Sequence, residues 1–333
     1  MRKVHIFSIP LCERHLVSRL SFAYIFSLAC TILTIIVPFL ACHSAIYGND
    51  GRSEGVWLKR DTYREQPSVH FNYKVIIVAQ AKDALRNDLP KELYFSTIAS
   101  INNLRSADDD SLRMATVTSR EADDDFDGIV DRLHIEASLP LQSHEQVFGV
   151  KALIFLDYCL TKHVKIDMES VAYIHHDSGL QGDSFTSRGD ITLRQNVPIG
   201  VRDYSSTLFS NEPLVDFEKV SSYSNAANIL SILEKYESRV VSTDYVQRFP
   251  VWKRDLSPLQ KKRTFTLKTT IEIPKMQQVV YIPTLQEILL DAWMRYLSIF
   301  ILCLYLVRKI CSFVYANRIL PTESKVDHKP KYE

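Results

Sequence analysis

Two long apolar runs lie near the ends of the chain, and a middle region with strand periodicity separates them. Residues 20–46 contain no Asp, Glu, Lys or Arg, and a bilayer-spanning helix needs only about 20 residues. This run is longer than the apolar segment of a signal peptide, which favours an uncleaved anchor. The second run, 288–307, spans a bilayer only if Asp291 and Arg295 lie near the interface. The pattern predicts transmembrane helices over 20–42 and 288–307.

Basic residues flank both predicted spans on the sides toward the chain ends. They are Arg2, Lys3, Arg14, Arg19, Arg308, Lys309 and Arg318. Because Lys and Arg concentrate in cytosolic flanks, both termini are predicted to be cytosolic. The expected organisation is a cytosolic N-terminus (1–19), an exoplasmic domain (43–287) between the two spans, and a cytosolic tail (308–333).

The middle region alternates with the period of β-strands. In 132–141, Leu133, Ile135, Ala137 and Leu139 share one face, and polar residues occupy the other. Similar runs cover 68–79, 147–160, 163–176 and 263–274. One segment, 224–240, has helical spacing with Ser224 as its predicted N-cap. The predicted fold class is two transmembrane helices flanking a mainly β, antiparallel sandwich-like domain with at least one helix.

Composition restricts the function of this domain. The formal net charge of +1 gives no reason to expect nucleic-acid binding. Cys159 is the only cysteine between the spans, so no internal disulfide is expected and the apolar core must hold the domain. The G-x-S-x-G, H-E-x-x-H, C-x-x-C and Walker patterns are absent, which predicts a non-enzymatic protein. The run of His175, His176 and Asp177 is interpreted as a polar strand end, because neighbouring side chains of a strand point to opposite faces.

The sharpest candidate site is an acidic stretch around Gly128. Its carboxylates are Asp123, Asp125, Asp127 and Asp131. They stand at positions 1, 3, 5 and 9 of a calcium-loop frame, with glycine at position 6. Position 12 is His134 where an EF-hand has a bidentate Glu, and a strand follows the loop. Two interpretations stay open: a loop between strands that binds a structural Ca²⁺, or an acidic Asp-Gly hairpin turn.

Four segments resemble one known family in chain order. They are "GVWLKRDTYREQPSVHFNYKVIIV" (55–78), "VTSREADDDFDGIVDRLHIEASLPLQSHEQVFGV" (117–150), "GDITLRQ" (189–195) and "AWMRYLSIFILCLYLVRKICSFVYAN" (292–317). With them the chain resembles the transmembrane protein 231 family. The resemblance implies a multi-pass protein of the ciliary membrane at the transition zone. It also implies a part in cilium assembly and in the diffusion barrier that controls ciliary membrane protein composition. The implied partners are tectonics, meckelin and B9-domain proteins, with no nucleic acid and no small-molecule substrate.

Two other functions share the predicted layout of two spans and a large outer domain. One is a channel subunit, and the other is an accessory subunit of a lipid transporter. The outer domains of both classes are typically rich in disulfides, whereas Cys159 is alone between the spans here.

Overall fold

Strands fill most of the middle of the chain, and two long helices lie toward its ends, as the alternation and the apolar runs predict. The structure is a computed structural model, and it describes residues 13–16, 21–43, 53–54, 57–84, 89–105, 111–200, 213–214, 229–254, 263–321 and 323–326. The helices are α1 (Phe22–His43), α2 (Ala99–Arg105), α3 (Ile229–Glu237) and α4 (Leu285–Ala316). The first nine strands are β1 (Glu13–Leu16), β2 (Ser53–Glu54), β3 (Trp57–Leu58), β4 (Asp61–Glu65), β5 (Ser68–Asp83), β6 (Leu89–Ser96), β7 (Thr116–Ala122), β8 (Arg132–Pro140) and β9 (Glu145–Leu160). The other eight are β10 (Ile166–Gly182), β11 (Ser184–Gln195), β12 (Ile199–Gly200), β13 (Val241–Gln247), β14 (Val251–Lys253), β15 (Thr264–Glu272), β16 (Gln277–Ile282) and β17 (Glu323–Val326).

The first of two compact units, Met1–Asp61 with Pro283–Glu333, contains the two long helices. Both are long and apolar enough to cross a membrane. They pack as an antiparallel pair. Cys42, in the last turn of α1, packs with Ala292 near the start of α4, and the Tyr315 hydroxyl donates to the carbonyl of Ala23 at the opposite end (3.4 Å).

Helix α4 extends past the predicted span 288–307 at both ends. Its start is set by a capping box, in which Thr284 and Glu287 each accept a hydrogen bond from the other's backbone amide. Toward its end, the helix continues through Arg308 and Lys309 without a break. The two charges interrupt the apolar pattern but not the backbone hydrogen bonding, so the helix is longer than the hydropathy alone indicates.

Two short sheets complete this unit. Strands β1 and β17 pair antiparallel, with Glu13 opposite Val326 and Leu16 opposite Glu323. Strands β2 and β3 form the second pair. Because β1 precedes α1 and β17 follows α4, the tails of the chain meet at the same end of the helix pair.

The second unit, Thr62–Ile282, is built mainly from two sheets. The four-stranded sheet has the order β10-β9-β5-β6, and its pairs are antiparallel. The six-stranded sheet has the order β13-β11-β15-β8-β7, with β14 also paired to β11. A small sheet, β12-β16-β4, completes the unit. The pairing of β11 with β15 is parallel, as is that of β12 with β16, whereas the remaining pairs of the large sheets are antiparallel.

The core lies between the two large sheets. Alternate residues of β8 point into it, and Leu133, Ile135, Ala137 and Leu139 are all buried, as the sequence alternation predicts. Apolar residues of β5, β9, β10, β11 and β15 complete the same cluster. The sandwich therefore forms without a disulfide, by burial of both inner faces.

A second apolar cluster covers the outer face of the four-stranded sheet. Helix α3 contributes Ile232 and Tyr236, which pack with Ile76, Val78 and Phe155 of β5 and β9. Strands β5 and β9 are thus buried on both faces, which explains their unbroken apolar runs. The helix predicted over 224–240 is present as α3 over Ile229–Glu237 only, because residues 238–240 are not helical. Residues 224–228, with the predicted cap Ser224, lie outside the described residues. The predicted fold class is confirmed.

Candidate functional site

The acidic loop connects β7 to β8 at one end of the sandwich. The two carboxylate oxygens of Asp123 accept hydrogen bonds from the backbone amides of Phe126 (2.8 Å) and Gly128 (2.9 Å). Gly128 has a φ of 86°, the left-handed conformation that glycine adopts without strain. Asp131, at the base of the loop, is buried and accepts from the amide of Asp124 (2.9 Å). The loop is therefore folded around its own carboxylates.

The structure brings together three of the four carboxylates predicted from the sequence. Asp123, Asp125 and Asp131 each place one oxygen within 4.8 Å of the others. Asp127 is directed elsewhere, because its carboxylate accepts a hydrogen bond from the amide of Ile129 (2.8 Å). The three converging groups have the oxygen chemistry that Ca²⁺ prefers.

A lysine from a distant part of the chain reaches the same carboxylates. Lys275, in the turn between β15 and β16, makes an ion pair with Asp125, and its Nζ lies 3.5 Å from Oδ1 of Asp131. The hydrogen bond to Asp125 raises the pKa of Lys275 and lowers the pKa of Asp125. This ammonium partly neutralises the carboxylates that a calcium ion would bind.

A second cationic side chain contacts the loop from β8. Arg132 donates to Asp124 (2.5 Å), and this hydrogen bond lowers the pKa of Asp124 and raises that of Arg132. Calcium binding would require Ca²⁺ to compete with the Lys275 ammonium for Asp125 and Asp131. The calcium site therefore stays a prediction, with its competitor now identified.

The histidine run on β10 divides between two environments. His175 is exposed and lies 2.9 Å from the carboxylate of Asp177. His176 is half-buried, with its ring stacked on Phe185 at a centroid distance of 4.8 Å and next to Trp252 at 5.2 Å. The two imidazoles point to opposite faces of the strand, so they do not converge on one ion.

The helix pair contains the other residues that the sequence singles out. Asp291 and Arg295, one helical turn apart on α4, form an ion pair at 2.9 Å. The buried residues on the α1 side are Ala23, Thr34, Pro38 and Cys42. Small residues recur at every fourth position of α1, at Ala23, Ser27 and Thr31, and of these only Ala23 is buried. Ser27 and Thr31 instead line a groove of about 320 Å³ between α1 and α4.

Arg308 is the one cationic side chain that lines this groove. Ser27, Cys30 and Thr31 of α1 line the same groove. Among the residues that the structure describes, no carboxylate forms an ion pair with Arg308. Its neighbour Lys309 lies on another side of the helix, with its ammonium 5.7 Å from the centroid of the Tyr305 ring. The two adjacent cations of α4 thus have different surroundings.

Two features of these sites leave little or no signal in the sequence. Lys275 lies 150 positions from Asp125, and the calcium-loop pattern contains no sign of it. The groove has a weak signal: Ser27, Thr31 and Thr34 recur at helical spacing on one side of α1. A polar stripe in a predicted span indicates a face directed away from lipid, but the partner Arg308 comes from another helix and cannot be read from α1.

Comparison with known proteins gives one family for the whole chain. The family model for Transmembrane protein 231 matches residues 1–324. The chain is 31% identical over 324 residues to Transmembrane protein 231 of Xenopus tropicalis, covering 97% of this chain and 96% of the relative. It is 30% identical over 327 residues to Transmembrane protein 231 of Bos taurus, covering 97% and 95%.

Among solved structures, a proton-activated chloride channel matches with 7% identity and a TM-score of 0.24, covering 87% of this chain and 96% of the channel chain. At that score, neither fold nor function is inferred from the channel. The family match, in contrast, extends over both long helices and the β domain between them. The chain is a membrane protein that belongs to the Transmembrane protein 231 family.

Proposed function

We propose that this protein is a non-enzymatic membrane component of the ciliary transition zone. There it contributes to the diffusion barrier that controls ciliary membrane protein composition and to cilium assembly. The observation that supports this proposal is the family match over residues 1–324, which includes the segments on which the resemblance rests. Tectonics, meckelin and B9-domain proteins are the partners that the family resemblance implies.

The buried carboxylates support a structural role for the β domain. Glu145 is fully buried and accepts from Arg113 (2.6 Å) and Lys91 (3.2 Å). Glu169 is likewise held by Lys74 (2.8 Å) and by the amide of Leu214 (2.7 Å). Each of these groups links separate elements of the domain, which is typical of groups that stabilise a fold.

The proposed topology has both termini in the cytosol. The basic residues toward both chain ends support it. The antiparallel packing of α1 on α4 and the pairing of β1 with β17 support a common side for the two tails. Protease treatment of sealed vesicles tests this. Tags on both termini should be cut together when the cytosolic face is accessible, while the domain between the helices stays protected. Protection of one tag alone would contradict the hairpin.

The location is tested with a tagged copy in a ciliated cell that lacks the endogenous protein. We expect a ring at the base of the cilium and restored ciliary membrane composition. Capture with tectonics, meckelin or a B9-domain protein would support the proposed assembly. A uniform distribution over the cell surface, with unchanged ciliary composition after deletion, would contradict the proposal.

A matched pair of helix variants sharpens that test. Ala292 is buried against Cys42 in the helix pair, so Ala292→Leu should push α4 away from α1 and weaken recruitment to the ring. Met294, two positions further on, is exposed on the same helix, and Met294→Leu should be recruited as the wild type is. Equal recruitment at equal abundance would show that the helix pair is not needed for assembly.

A further inference from the structure

Arg308 lies some distance along the helix axis from the end of the helix pair that is nearer the chain termini. Tyr315 is level with Ala23, because its hydroxyl donates to the carbonyl of that residue in the first turn of α1. Arg308 precedes Tyr315 by seven positions on a continuous helix, which places it about 10 Å further along the axis. A charged group at that depth is costly unless a partner or a route to the headgroup region is present.

The groove that Arg308 lines has a polar end and an apolar end. Ser27 and Cys311 lie with Arg308 at the end nearer the chain termini, whereas Ile35 and Phe300 line the end nearer the middle of the helices. The hydroxyls of Thr31 and Thr34 donate to carbonyls of their own helix, to Leu28 (2.7 Å) and Cys30 (2.5 Å). The guanidinium is therefore the main donor available to a ligand in the groove.

The size of the groove fits an acyl chain rather than a helix. Its volume is about 320 Å³. One water needs about 10–15 Å³ of such space, so the groove has room for a chain of water-sized groups. A transmembrane helix is about 10 Å wide and would not fit in that space. Along α4 the lining residues extend from Phe300 to Cys311, which is about 16 Å and close to half of a 30 Å hydrocarbon core.

We propose that the groove between α1 and α4 binds one anionic phospholipid. The net negative headgroup pairs with Arg308, and one acyl chain lies along the apolar end toward Ile35 and Phe300. Charge, polarity gradient and length all match a lipid of the leaflet on the side of the termini. Basic pockets between transmembrane helices are a known chemistry for anionic headgroups. The inference goes beyond the proposed function and rests on the proposed topology only for the identity of that leaflet, which would be the cytosolic one.

The test uses the full-length protein purified in detergent and native mass spectrometry after incubation with equal amounts of phosphatidylserine and phosphatidylcholine with the same acyl chains. We expect one retained lipid per chain and a preference for phosphatidylserine of about five-fold, as one basic residue gives near an anionic headgroup. Arg308→Gln should reduce the preference to about equal binding. Lys309→Gln removes the same charge one residue away and should keep the preference.

A groove-filling variant separates shape from charge. Thr31→Leu leaves Arg308 in place and should reduce retention of both lipids, because the added methyl groups occupy the groove. Equal retention of the two lipids by the wild type would overturn the proposal. An equal loss of the phosphatidylserine preference in Arg308→Gln and Lys309→Gln would also overturn it. Loss of a co-purifying membrane protein in Arg308→Gln, with lipid retention unchanged, would assign the arginine to a protein partner instead. None of these measurements depends on ciliary location, so they fail or succeed independently of the proposed function.

Discussion

The Nζ of Lys275 lies 3.5 Å from Oδ1 of Asp131, which joins the turn between β15 and β16 to the base of the acidic loop. The same ammonium pairs with Asp125. A divalent cation bound by these carboxylates would have to displace it, so the lysine and a calcium ion would compete for one position.

Calcium should raise the thermal midpoint of the full-length protein in detergent, and more so after Lys275→Ala, because that variant lacks the competing ammonium. At free calcium of ten times Kd, binding to the folded state alone adds about 1.4 kcal/mol. For a domain of this size that corresponds to a shift of a few degrees. The measurement is the unfolding midpoint in millimolar calcium against chelator.

Two charge-matched variants control the calcium experiment. Asp125→Asn should abolish the calcium response. Asp167→Asn, which changes an exposed carboxylate on β10, outside the acidic loop, should leave the response intact. If calcium changes the unfolding midpoint of neither the wild type nor Lys275→Ala, the metal site is contradicted. The loop would then be an acidic turn with a lysine counterion.

Glu145→Ala should destabilise the protein by about 3–5 kcal/mol, because it leaves the cations of Arg113 and Lys91 in buried positions without their carboxylate. The matched control is Glu136→Ala on β8. Its pair with Lys268 is also close, at 3.1 Å, but both side chains are about half exposed, so the loss should stay below about 1 kcal/mol. Urea unfolding followed by tryptophan fluorescence measures both. Similar losses would show that burial does not decide the strength of these pairs.

Gly182→Ala should destabilise the protein by about 1–3 kcal/mol through overpacking. A Cβ at this position would lie 2.2 Å from the ring of Trp252, which is held in place by a hydrogen bond from its indole nitrogen to the carbonyl of Leu180 (3.0 Å). Gly179→Ala, on the same strand, meets no atom within 4 Å and should be close to neutral. Only the first variant should also shift the tryptophan emission. Equal stability for the two would contradict the close packing of Trp252.

The β domain should become less stable as the pH is lowered, partly because of His134. Burial lowers the pKa of this imidazole, and the nearby Arg132 and Arg120 lower it further. The unfolded chain then binds the proton more readily than the folded one, so stability from this group is complete above the unfolded pKa of about 6.5. It declines as the pH falls through that value and is fully lost below the folded pKa.

His134→Gln should therefore flatten the loss of stability between pH 7 and pH 5, as measured from urea midpoints. Thr270→Val removes the hydroxyl that lies 3.1 Å from the imidazole but keeps the histidine. It should lower stability while retaining the pH dependence. An unchanged pH slope in His134→Gln would contradict the direction of this pKa shift.

Local periodicity predicted both long helices, α3 and five strands, namely β5, β8, β9, β10 and β15. It did not predict other elements, such as α2, β6, β11 and β13. The alternation in β8 carries its own information, since Leu133 and Leu139 must share a face whatever the partner strand is. The direction of pairing cannot be predicted in this way, because an alternating strand such as β15 has the same pattern in a parallel and in an antiparallel sheet. The parallel contact of β11 with β15 was therefore not predicted.

The sites were predicted only as far as they are local. The turn at Gly128 depends on residues a few positions apart, and the structure has it. Lys275 reaches the acidic loop through the folding of two hairpins, and Arg308 reaches the groove through the packing of two helices. Neither of these long-range contacts leaves a spacing pattern in the sequence.

The double burial of β5 and β9 determines how missense variation in this chain would act. Ile76 packs toward α3 and Ile77 toward the sandwich core, so neighbouring positions affect different clusters. A polar residue at either one would increase the unfolded fraction, and cellular quality control removes such molecules. Damaging substitutions in these strands would thus reduce the amount of protein at the membrane. Changes at Arg308, which is exposed to the groove, would leave the amount unchanged and alter only what the protein binds.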